Sequence, residues 1–192
     1  DNLGQLKVAD SSVASEDRGF LYDTAWNLSK RTNNGVVTTF GVNVKNELTS
    51  VGAVSYSYDN NGNLTSTSDY RSYTYDDENQ LTKVEQNASW KTEFTYDGRM
   101  RLRVRKESTW NRSSWILNSE TRYVYDGMRV IQERDSGNTP TVAYTRGQDL
   151  SGSLEGAGGI GGLLARSHGY SSGSWSTHNF YHADGGGNVT YM

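Results

Sequence analysis

The chain has 192 residues, of which 33% are hydrophobic and 11% aromatic, and it contains 13 Tyr, 5 Trp, 21 Gly and a single Pro. An average globular domain is roughly 45–50% apolar, so a large dry core is not expected. The formal net charge of -3 excludes a global attraction to nucleic acid or anionic membranes. The lack of cysteine excludes disulfides and thiolate metal sites. No apolar run reaches the roughly 18 residues of a membrane helix, and the abundant Tyr and Trp favour β structure.

A degenerate repeat runs along the chain. Its clearest copies are Tyr56-Ser-Tyr-Asp-Asn-Asn-Gly-Asn-Leu-Thr65 and Tyr73-Thr-Tyr-Asp-Asp-Glu-Asn-Gln-Leu-Thr82. In chain order the copies are a half unit at 1–6 and units at 22–28, 40–49, 56–65, 73–82, 94–102, 123–130 and 181–190. They recur about every 20 residues, except that 58 residues separate Asp126 from Asp184. The segment 143–150 is a candidate for a diverged unit in that gap.

Each unit predicts a β-hairpin. Residues two apart share one face of a strand, so the paired aromatic residues of one unit are expected to stack on those of the next. The following Asp can accept from backbone amides, and a Gly or Asn three residues later can take the positive φ that closes the turn. The predicted structural turn residues are Asp23, Asp59, Gly62, Asp76, Asn79, Asp97, Asp126, Asp184 and Gly187. The predicted aromatic ladder comprises Tyr56, Tyr58, Tyr73, Tyr75, Phe94, Tyr96, Tyr123 and Tyr125.

The repeat also predicts the fold class. A lone hairpin is marginal in water, so consecutive hairpins must stack edge to edge. We therefore expect an all-β fold of stacked hairpins that form one continuous spiral or solenoid-like sheet. The expected organisation is a hairpin array over 1–150 with a truncated first repeat, a Gly/Ser-rich connecting segment over 151–175, and a terminal repeat over 176–192.

The repeat resembles that of the YD-repeat or Rhs proteins, which include bacterial polymorphic toxins, the cocoon component of Tc toxin complexes, and the teneurins. The resemblance covers essentially the whole chain, and it implies a spiral β-sheet shell that often encloses a toxin domain or a C-terminal peptide. Residues 144–165 resemble the stretch that precedes the core of bacterial members, and residues 181–189 resemble the repeat that follows that stretch. The self-cleaving core with its Asp-Pro-x-Gly pattern is absent from this sequence, so self-cleavage and toxin activity are not implied for it.

A competing interpretation concerns Gly156, Gly158 and Gly161, which match the dinucleotide-binding pattern G-x-G-x-x-G. That fold needs a strand before the glycines, a helix after them, and an acidic residue about 20 positions on. Here Gly169 and the Ser/Gly run that follows interrupt any helix, and Asp184 belongs to a repeat turn. The glycines are therefore expected to permit a tight bend or a close crossing of the backbone.

Two further patterns could carry chemistry. The recurring aspartates could act as a pair of glycosidase carboxylates, but each occupies the same turn position, which indicates a structural role. His168, His178 and His182, with Asp184 nearby, could bind a metal, but their spacing matches no compact ligand motif. No serine nucleophile with a partner histidine and aspartate stands out.

Two surface patterns could contact a partner. Alternating arginines predict a strand with a basic face, at Arg99, Arg101, Arg103 and Arg105. That face could meet phosphates or an acidic cargo, but nearby Glu and Asp residues favour a solvated face with cross-strand ion pairs. Three tryptophans could form a platform for a sugar or a protein, namely Trp110, Trp115 and Trp175. Tryptophans on long hairpins more often cover the apolar face of a sheet.

The sequence thus predicts a non-enzymatic segment of a large, secreted or cell-surface bacterial YD-repeat protein, with no cofactor. It would form part of the wall of a shell around a toxin or C-terminal polypeptide. Expected partners are the remaining repeats or copies of the chain, joined through sheet edges, and the enclosed polypeptide. The alternative is an extracellular fibre or adhesin that assembles, or binds a carbohydrate or protein, through those edges.

Overall fold

The computed structural model describes residues 3 to 191, which form antiparallel β-strands and one short 3-10 helix, Ala14–Glu16. The chain divides into two compact units, Asp1–Asn87 and Ala88–Met192. Within the described residues, no helix has the length and apolar character needed to cross a membrane. The predicted all-β class of stacked hairpins is confirmed.

The first unit contains nine strands whose order in the sheet is their order in the chain. They are β1 (Val8–Ala9), β2 (Arg18–Tyr22), β3 (Leu28–Asn33), β4 (Val36–Val42), β5 (Leu48–Val51), β6 (Val54–Tyr58), β7 (Leu64–Thr67), β8 (Arg71–Tyr75) and β9 (Leu81–Gln86). The Tyr-x-Tyr segments fall on β6 and β8, because alternating aromatic residues suit a pleated surface. Each of these two strands shifts register by one residue next to the turn that follows, at Tyr58 and at Tyr75.

The second unit contains seven strands in chain order and a separate two-stranded sheet. The seven are β10 (Trp90–Tyr96), β11 (Leu102–Trp110), β12 (Trp115–Asp126), β13 (Arg129–Arg134), β14 (Pro140–Arg146), β15 (Leu163–Ser171) and β16 (Ser174–Phe180). The separate pair is β17 (His182–Ala183) and β18 (Val189–Tyr191). A long loop at 147–162 joins β14 to β15, so the segment 151–175 holds part of this loop and the whole of β15.

Because chain order and sheet order coincide, successive turns of each sheet alternate between its two rims. The turns that begin at Asp23, Asn43, Asp59 and Asp76 therefore share one rim of the first unit. In the second unit, the turns after β10, β12 and β14 share a rim in the same way. We call this side of each unit the repeat rim.

Few side chains are buried. Among the described residues, the buried hydrophobic side chains are Val142 and Ala165, which are 6% and 7% exposed. Large apolar side chains such as Val36 and Phe180 are 68% and 66% exposed. Because the sequence has few apolar residues, the sheet has very little buried core.

Candidate functional site

The repeat turn is best seen at Asp59. The Asp59 amide donates to the Asn63 carbonyl at 3.0 Å, and the Gly62 amide donates to the Asp59 carbonyl at 3.2 Å. Oδ1 of Asp59 accepts from the amides of Asn61 and Asn63, both at 2.9 Å. Gly62 has φ of 84°, a conformation that glycine adopts without a steric cost. One carboxylate therefore satisfies two backbone donors that the turn leaves free.

The same two backbone hydrogen bonds recur along the chain. They lie at Asp23, Asn43, Asp76, Asp97, Asp135, Asp149 and Asp184. The residue three positions later has a positive φ in every case, at Trp26, Asn46, Asn79, Met100, Asn138, Gly152 and Gly187. Asp149 lies in the segment 143–150 and leads a turn on the repeat rim inside the long gap. Asp135 leads a copy on the opposite rim, which the sequence reasoning missed although Asp135-Ser-Gly-Asn138 carries the turn pattern.

One predicted leading residue lies outside the described residues, and another does not show this arrangement. Asp1 lies outside the described residues, although Gly4, three positions later, has φ of 80°. Asp126 ends β12 and pairs directly with Arg129, so Gly127 and Met128 alone close a two-residue turn. Its carboxylate accepts from the Arg129 guanidinium at 2.6 Å. Gly127 has φ of 60°, and a glycine at the first of two loop residues suits a two-residue hairpin turn.

In five of these turns, the side chain of the fourth residue after the leading one also bonds to the side chain of the leading residue. Nδ2 of Asn63 donates to Oδ2 of Asp59 at 3.0 Å. The polarity is reversed at Asn43, whose Nδ2 donates to the Glu47 carboxylate at 2.6 Å. Donors also face the leading carboxylate in the pairs Asp23 with Asn27, Asp97 with Arg101, and Asp184 with Asn188. Sequence reasoning missed this complementarity, which is visible as a donor paired with an acceptor at a spacing of four.

These hydrogen bonds determine the electrostatics of the turns. The side chain and amide of Asn63 hold the pKa of Asp59 below its usual range. Asn27 and Asn188 lower the pKa of Asp23 and Asp184 in the same way. A glycosidase needs one carboxyl whose pKa is raised so that it can act as an acid. These carboxylates are instead held ionised as acceptors for their own turns.

Side chains also join neighbouring turns of a repeat rim. The links in the first unit run from Nδ2 of Asn27 to Oδ1 of Asn46 at 3.0 Å and from Nδ2 of Asn63 to Oδ1 of Asn79 at 2.8 Å. In the second unit, the Arg101 guanidinium donates to the Gly127 carbonyl at 2.6 Å. Successive hairpins are thus connected beyond their strand ladders.

The repeat Thr forms a hydrogen bond between the two strands of its own hairpin. Oγ1 of Thr65 donates to the Ser57 carbonyl at 3.1 Å, and Oγ1 of Thr82 donates to the Thr74 carbonyl at 3.0 Å. Ser29 and Thr190 make equivalent bonds to the carbonyls of Leu21 and His182. The hydroxyl six residues after the leading Asp therefore ties the return strand to the outgoing one.

The predicted ladder residues all lie on strands that lead into a turn of the repeat rim. They are half-buried on β6, β8, β10 and β12, namely Tyr56, Tyr58, Tyr73, Tyr75, Phe94, Tyr96, Tyr123 and Tyr125. The return strand β7 lies between β6 and β8, so two strand spacings, about 9.6 Å, separate the first two Tyr pairs. The hydroxyl of Tyr58 donates to the Leu48 carbonyl at 2.8 Å, and that of Tyr125 to the Leu102 carbonyl at 2.9 Å. Tyrosines thus bond to the strand before them.

The glycine-rich loop is organised around Asp149, which is 6% exposed. Oδ2 accepts from the amides of Ala157 and Gly159 at 2.7 and 3.1 Å. Oδ1 accepts from the amide and hydroxyl of Ser151 at 2.9 and 2.6 Å. These bonds, the Ser151 hydroxyl foremost, lower the pKa of Asp149 to about 2. The loop amides that a nucleotide phosphate would need are therefore directed at the protein's own carboxylate.

The loop then connects to neighbouring turns. Oε1 of Glu155 accepts from the Met128 amide at 2.7 Å and lies 3.6 Å from Nε of Arg129. A Cβ on Gly162 would lie 2.9 Å from the Gly147 carbonyl oxygen. Gly162 thus lies at a close crossing of backbone, whereas Gly158 and Gly161 have positive φ, of 66° and 79°.

The histidines and arginines have separate partners. Nδ1 of His178 lies 2.8 Å from the Ser167 hydroxyl, and Nε2 of His168 lies 3.0 Å from Oδ1 of Asn179. His182 contacts the Tyr191 ring. In the described part of the chain, no three His, Asp or Glu side chains converge as metal ligands. Because β11 begins at Leu102, Arg99 and Arg101 lie in the turn and not on the predicted basic strand. Arg101 and Arg103 form ion pairs with Asp97, and Arg105 forms one with Glu107.

The tryptophans make local ring contacts. The centroids of Trp110 and Trp115 are 5.2 Å apart at the end of the β11–β12 hairpin. Those of Tyr170 and Trp175 are 5.0 Å apart on β15 and β16. Nζ of Lys91 lies 5.4 Å from the centroid of Trp115. These rings pack against one another, which is a favourable arrangement for aromatic pairs on a sheet.

A known protein family matches most of this chain. The model of the Teneurin YD-shell family matches residues 1–128. No curated protein matches the chain. Among solved structures, the chain is similar to TcdB2-TccC3, with 17% identity and a TM-score of 0.39, and to TcdB2-TccC3-Cdc42, with 19% identity and a TM-score of 0.39. Each match covers 91% of this chain and 9% of the solved chain.

Proposed function

Because the chain belongs to the Teneurin YD-shell family, we propose that it is a non-catalytic segment of the wall of a shell that encloses a toxin or C-terminal polypeptide. The observation that carries the proposal is the combination of hairpins joined turn to turn with almost no core of their own. A sheet of this kind gains its stability from its neighbours along the repeat direction rather than from a buried interior. That property suits a wall.

Closure of the wall would also remove unpaired strand edges, which are otherwise sites of unwanted pairing. In this proposal the partners of the segment are the remaining repeats of a longer parent chain, joined through sheet edges, together with the enclosed polypeptide. The parent protein would act outside the cell or at its surface. The turn aspartates Asp23, Asp59 and Asp184 accept hydrogen bonds from their own turns, which lower their pKa values. This supports a structural role and not a catalytic one.

The experiment is protease protection of the natural protein that contains this sequence, purified from its source. The proposal expects one polypeptide to survive a protease while the native particle is intact and to be digested once the particle is unfolded. Intact mass spectrometry before and after digestion would identify the protected segment. Digestion of every segment outside the repeats in the native particle would contradict encapsulation. A globular protein added to the same reaction controls for protease activity.

A further inference from the structure

One peptide bond on the repeat rim of the second unit is held between two opposite charges. The Gly127 carbonyl accepts from the Arg101 guanidinium at 2.6 Å, and the Met128 amide donates to the Glu155 carboxylate at 2.7 Å. These two backbone groups belong to the same peptide unit, whose dipole is negative at the carbonyl oxygen and positive at the amide hydrogen. Both charges therefore stabilise the same orientation of this peptide.

Each of the two charges is fixed within a neighbouring turn. Arg101 lies at the end of the turn after β10, where its guanidinium donates to Oδ2 of Asp97 at 2.8 Å. Glu155 lies in the loop 147–162 after β14, and its carboxylate lies 3.6 Å from Nε of Arg129. The peptide itself lies in the hairpin turn between β12 and β13. It therefore connects three successive turns of the repeat rim.

The loop is also packed closely on this hairpin turn. A Cβ on Gly127 would lie 2.5 and 2.6 Å from the two carboxylate oxygens of Glu155, so the carboxylate occupies the space of a side chain. A Cβ on Gly159 would lie 3.4 Å from Cδ of Arg129, which is 8% exposed. The hairpin turn and the loop thus share a packed contact in addition to their hydrogen bond.

The turn at Asp135, on the opposite rim of the same unit, provides a contrast. The Asp135 amide donates to the Thr139 carbonyl and the Asn138 amide donates to the Asp135 carbonyl, both at 3.0 Å, as in the turns of the repeat rim. The carboxylate accepts from the Thr139 amide of its own turn at 2.8 Å. Among the hydrogen bonds and ion pairs of the described residues, none joins a side chain of this turn to another turn.

We propose that the three rim turns of the second unit open and close as one cooperative segment, coupled through the peptide between Gly127 and Met128. Hydrogen bonds to charged groups are stronger than neutral ones, and hydrogen bonds in a chain polarise one another. Removing the charge of Glu155 weakens the hold on the peptide and so weakens its bond to Arg101, and the converse holds as well. Native proteins open locally in contiguous cooperative segments of this kind.

Native-state hydrogen exchange of the full chain tests the coupling, because each turn has a reporter amide. The Met100 amide, which donates a hydrogen bond at 2.8 Å, reports on the turn after β10. The Gly159 amide, which donates one at 3.1 Å, reports on the loop. The Asn138 amide reports on the unlinked turn of the opposite rim.

We expect each variant to act on the turn that it does not alter. E155Q should speed exchange at Met100 by about tenfold or more, and R101M should do the same at Gly159, because loss of a charged hydrogen-bond partner shifts an opening equilibrium by that factor. Exchange at Asn138 should stay unchanged in both variants. Acceleration by E155Q at Gly159 and not at Met100 would overturn the inference. Equal acceleration at Asn138 would overturn it too, because the effect would then be global.

The matched control is R103M. Arg103 also lies near Asp97, at 3.5 Å, but it donates to the Tyr123 carbonyl at 3.1 Å and not to the peptide at Gly127. R103M should therefore leave exchange at Gly159 unchanged, and an effect there equal to that of R101M would contradict the coupling. The inference goes beyond the shell proposal, and its failure would leave that proposal standing.

Discussion

Oδ2 of Asp149 accepts a hydrogen bond from the amide of Ala157 at 2.7 Å, across eight residues of chain. The same oxygen accepts from Gly159, and the other oxygen is held by Ser151. A loop whose glycines resemble a phosphate-binding pattern thus folds around an internal anion. This relationship places the glycine-rich segment within the repeat array, as an enlarged version of the ordinary turn.

Replacement of Asp149 by Asn should destabilise the protein. The amide Nδ2 would face either the two loop amides or the Ser151 donors, so some donors must face a donor in either orientation. We expect the Tm to fall by on the order of 4 °C, measured by calorimetry. The control is Asp77→Asn, because Asp77 is exposed and should tolerate the change. An unchanged Tm for the Asp149 variant would show that the carboxylate does not organise the loop.

The lowered pKa values predict an acid-sensitive fold. A carboxyl whose pKa is lower in the folded state contributes stability that is fully present above its unfolded pKa, near 3.9, and is lost as the pH falls through the folded value. Hydrogen bonds lower the pKa of Asp149 to about 2, and they lower that of Asp59 as well. The contribution of these groups to the unfolding free energy, measured in urea, should therefore be constant from about pH 7 to pH 5 and should fall between about pH 4 and pH 2. A flat profile below pH 4 would contradict this.

The reversed pair of Asn43 and Glu47 offers a test by exchange. Asn43→Asp sets one carboxylate against another at the position where a 2.6 Å hydrogen bond now lies. The loss of that bond should cost about 1 kcal/mol of unfolding free energy. Adding Glu47→Asn recreates the arrangement of Asp59 and Asn63 and should restore most of the loss. Simple additivity of the two changes in chemical denaturation would argue against the complementarity.

Met100 is held in the left-handed region with φ of 60° and is 64% exposed. A non-glycine residue there costs roughly 1–2 kcal/mol, partly offset by the backbone entropy that glycine loses on folding. Met100→Gly should therefore raise the unfolding free energy by about 0.5 kcal/mol. The reciprocal control is Gly62→Met, which should lower it. A loss of stability in Met100→Gly would mean that the Met side chain contributes contacts that outweigh the strain.

The close backbone crossing at Gly162 can be tested by replacing this glycine by alanine, with Gly98 as the matched control. A Cβ on Gly162 would meet three carbonyl oxygens within 3.3 Å, of Gly147, Gln148 and Gly159, and a Cβ on Gly98 would meet nothing within 4 Å. Gly162→Ala should cost roughly 1–3 kcal/mol, since overpacked backbone cannot move aside as a side chain can. Gly98→Ala should be nearly neutral. Equal effects of the two variants in thermal unfolding would refute the crossing.

Much of the fold could be predicted from the sequence because the repeat is local. The Asp and Gly of a unit such as Asp59 and Gly62 specify a turn within four residues, and the Tyr-x-Tyr alternation specifies the strand before it. Asp126 escaped the prediction because Asp97-Gly98 and Asp126-Gly127 are the same dipeptide, yet Asp97 leads the longer turn and Asp126 precedes a two-residue turn. The tyrosine hydrogen bonds could not be predicted because they depend on which strand lies beside each tyrosine. That is a property of the sheet, which no single unit carries.

The central claim is that this chain is an arc of a closed wall. Electron microscopy of the natural protein, purified from its source, tests it most directly. The account predicts a hollow particle whose wall is one sheet thick and whose density contains the hairpins from β2 to β16 in order. An open fibre, or a solid particle in which other layers cover both faces of this sheet, would contradict it.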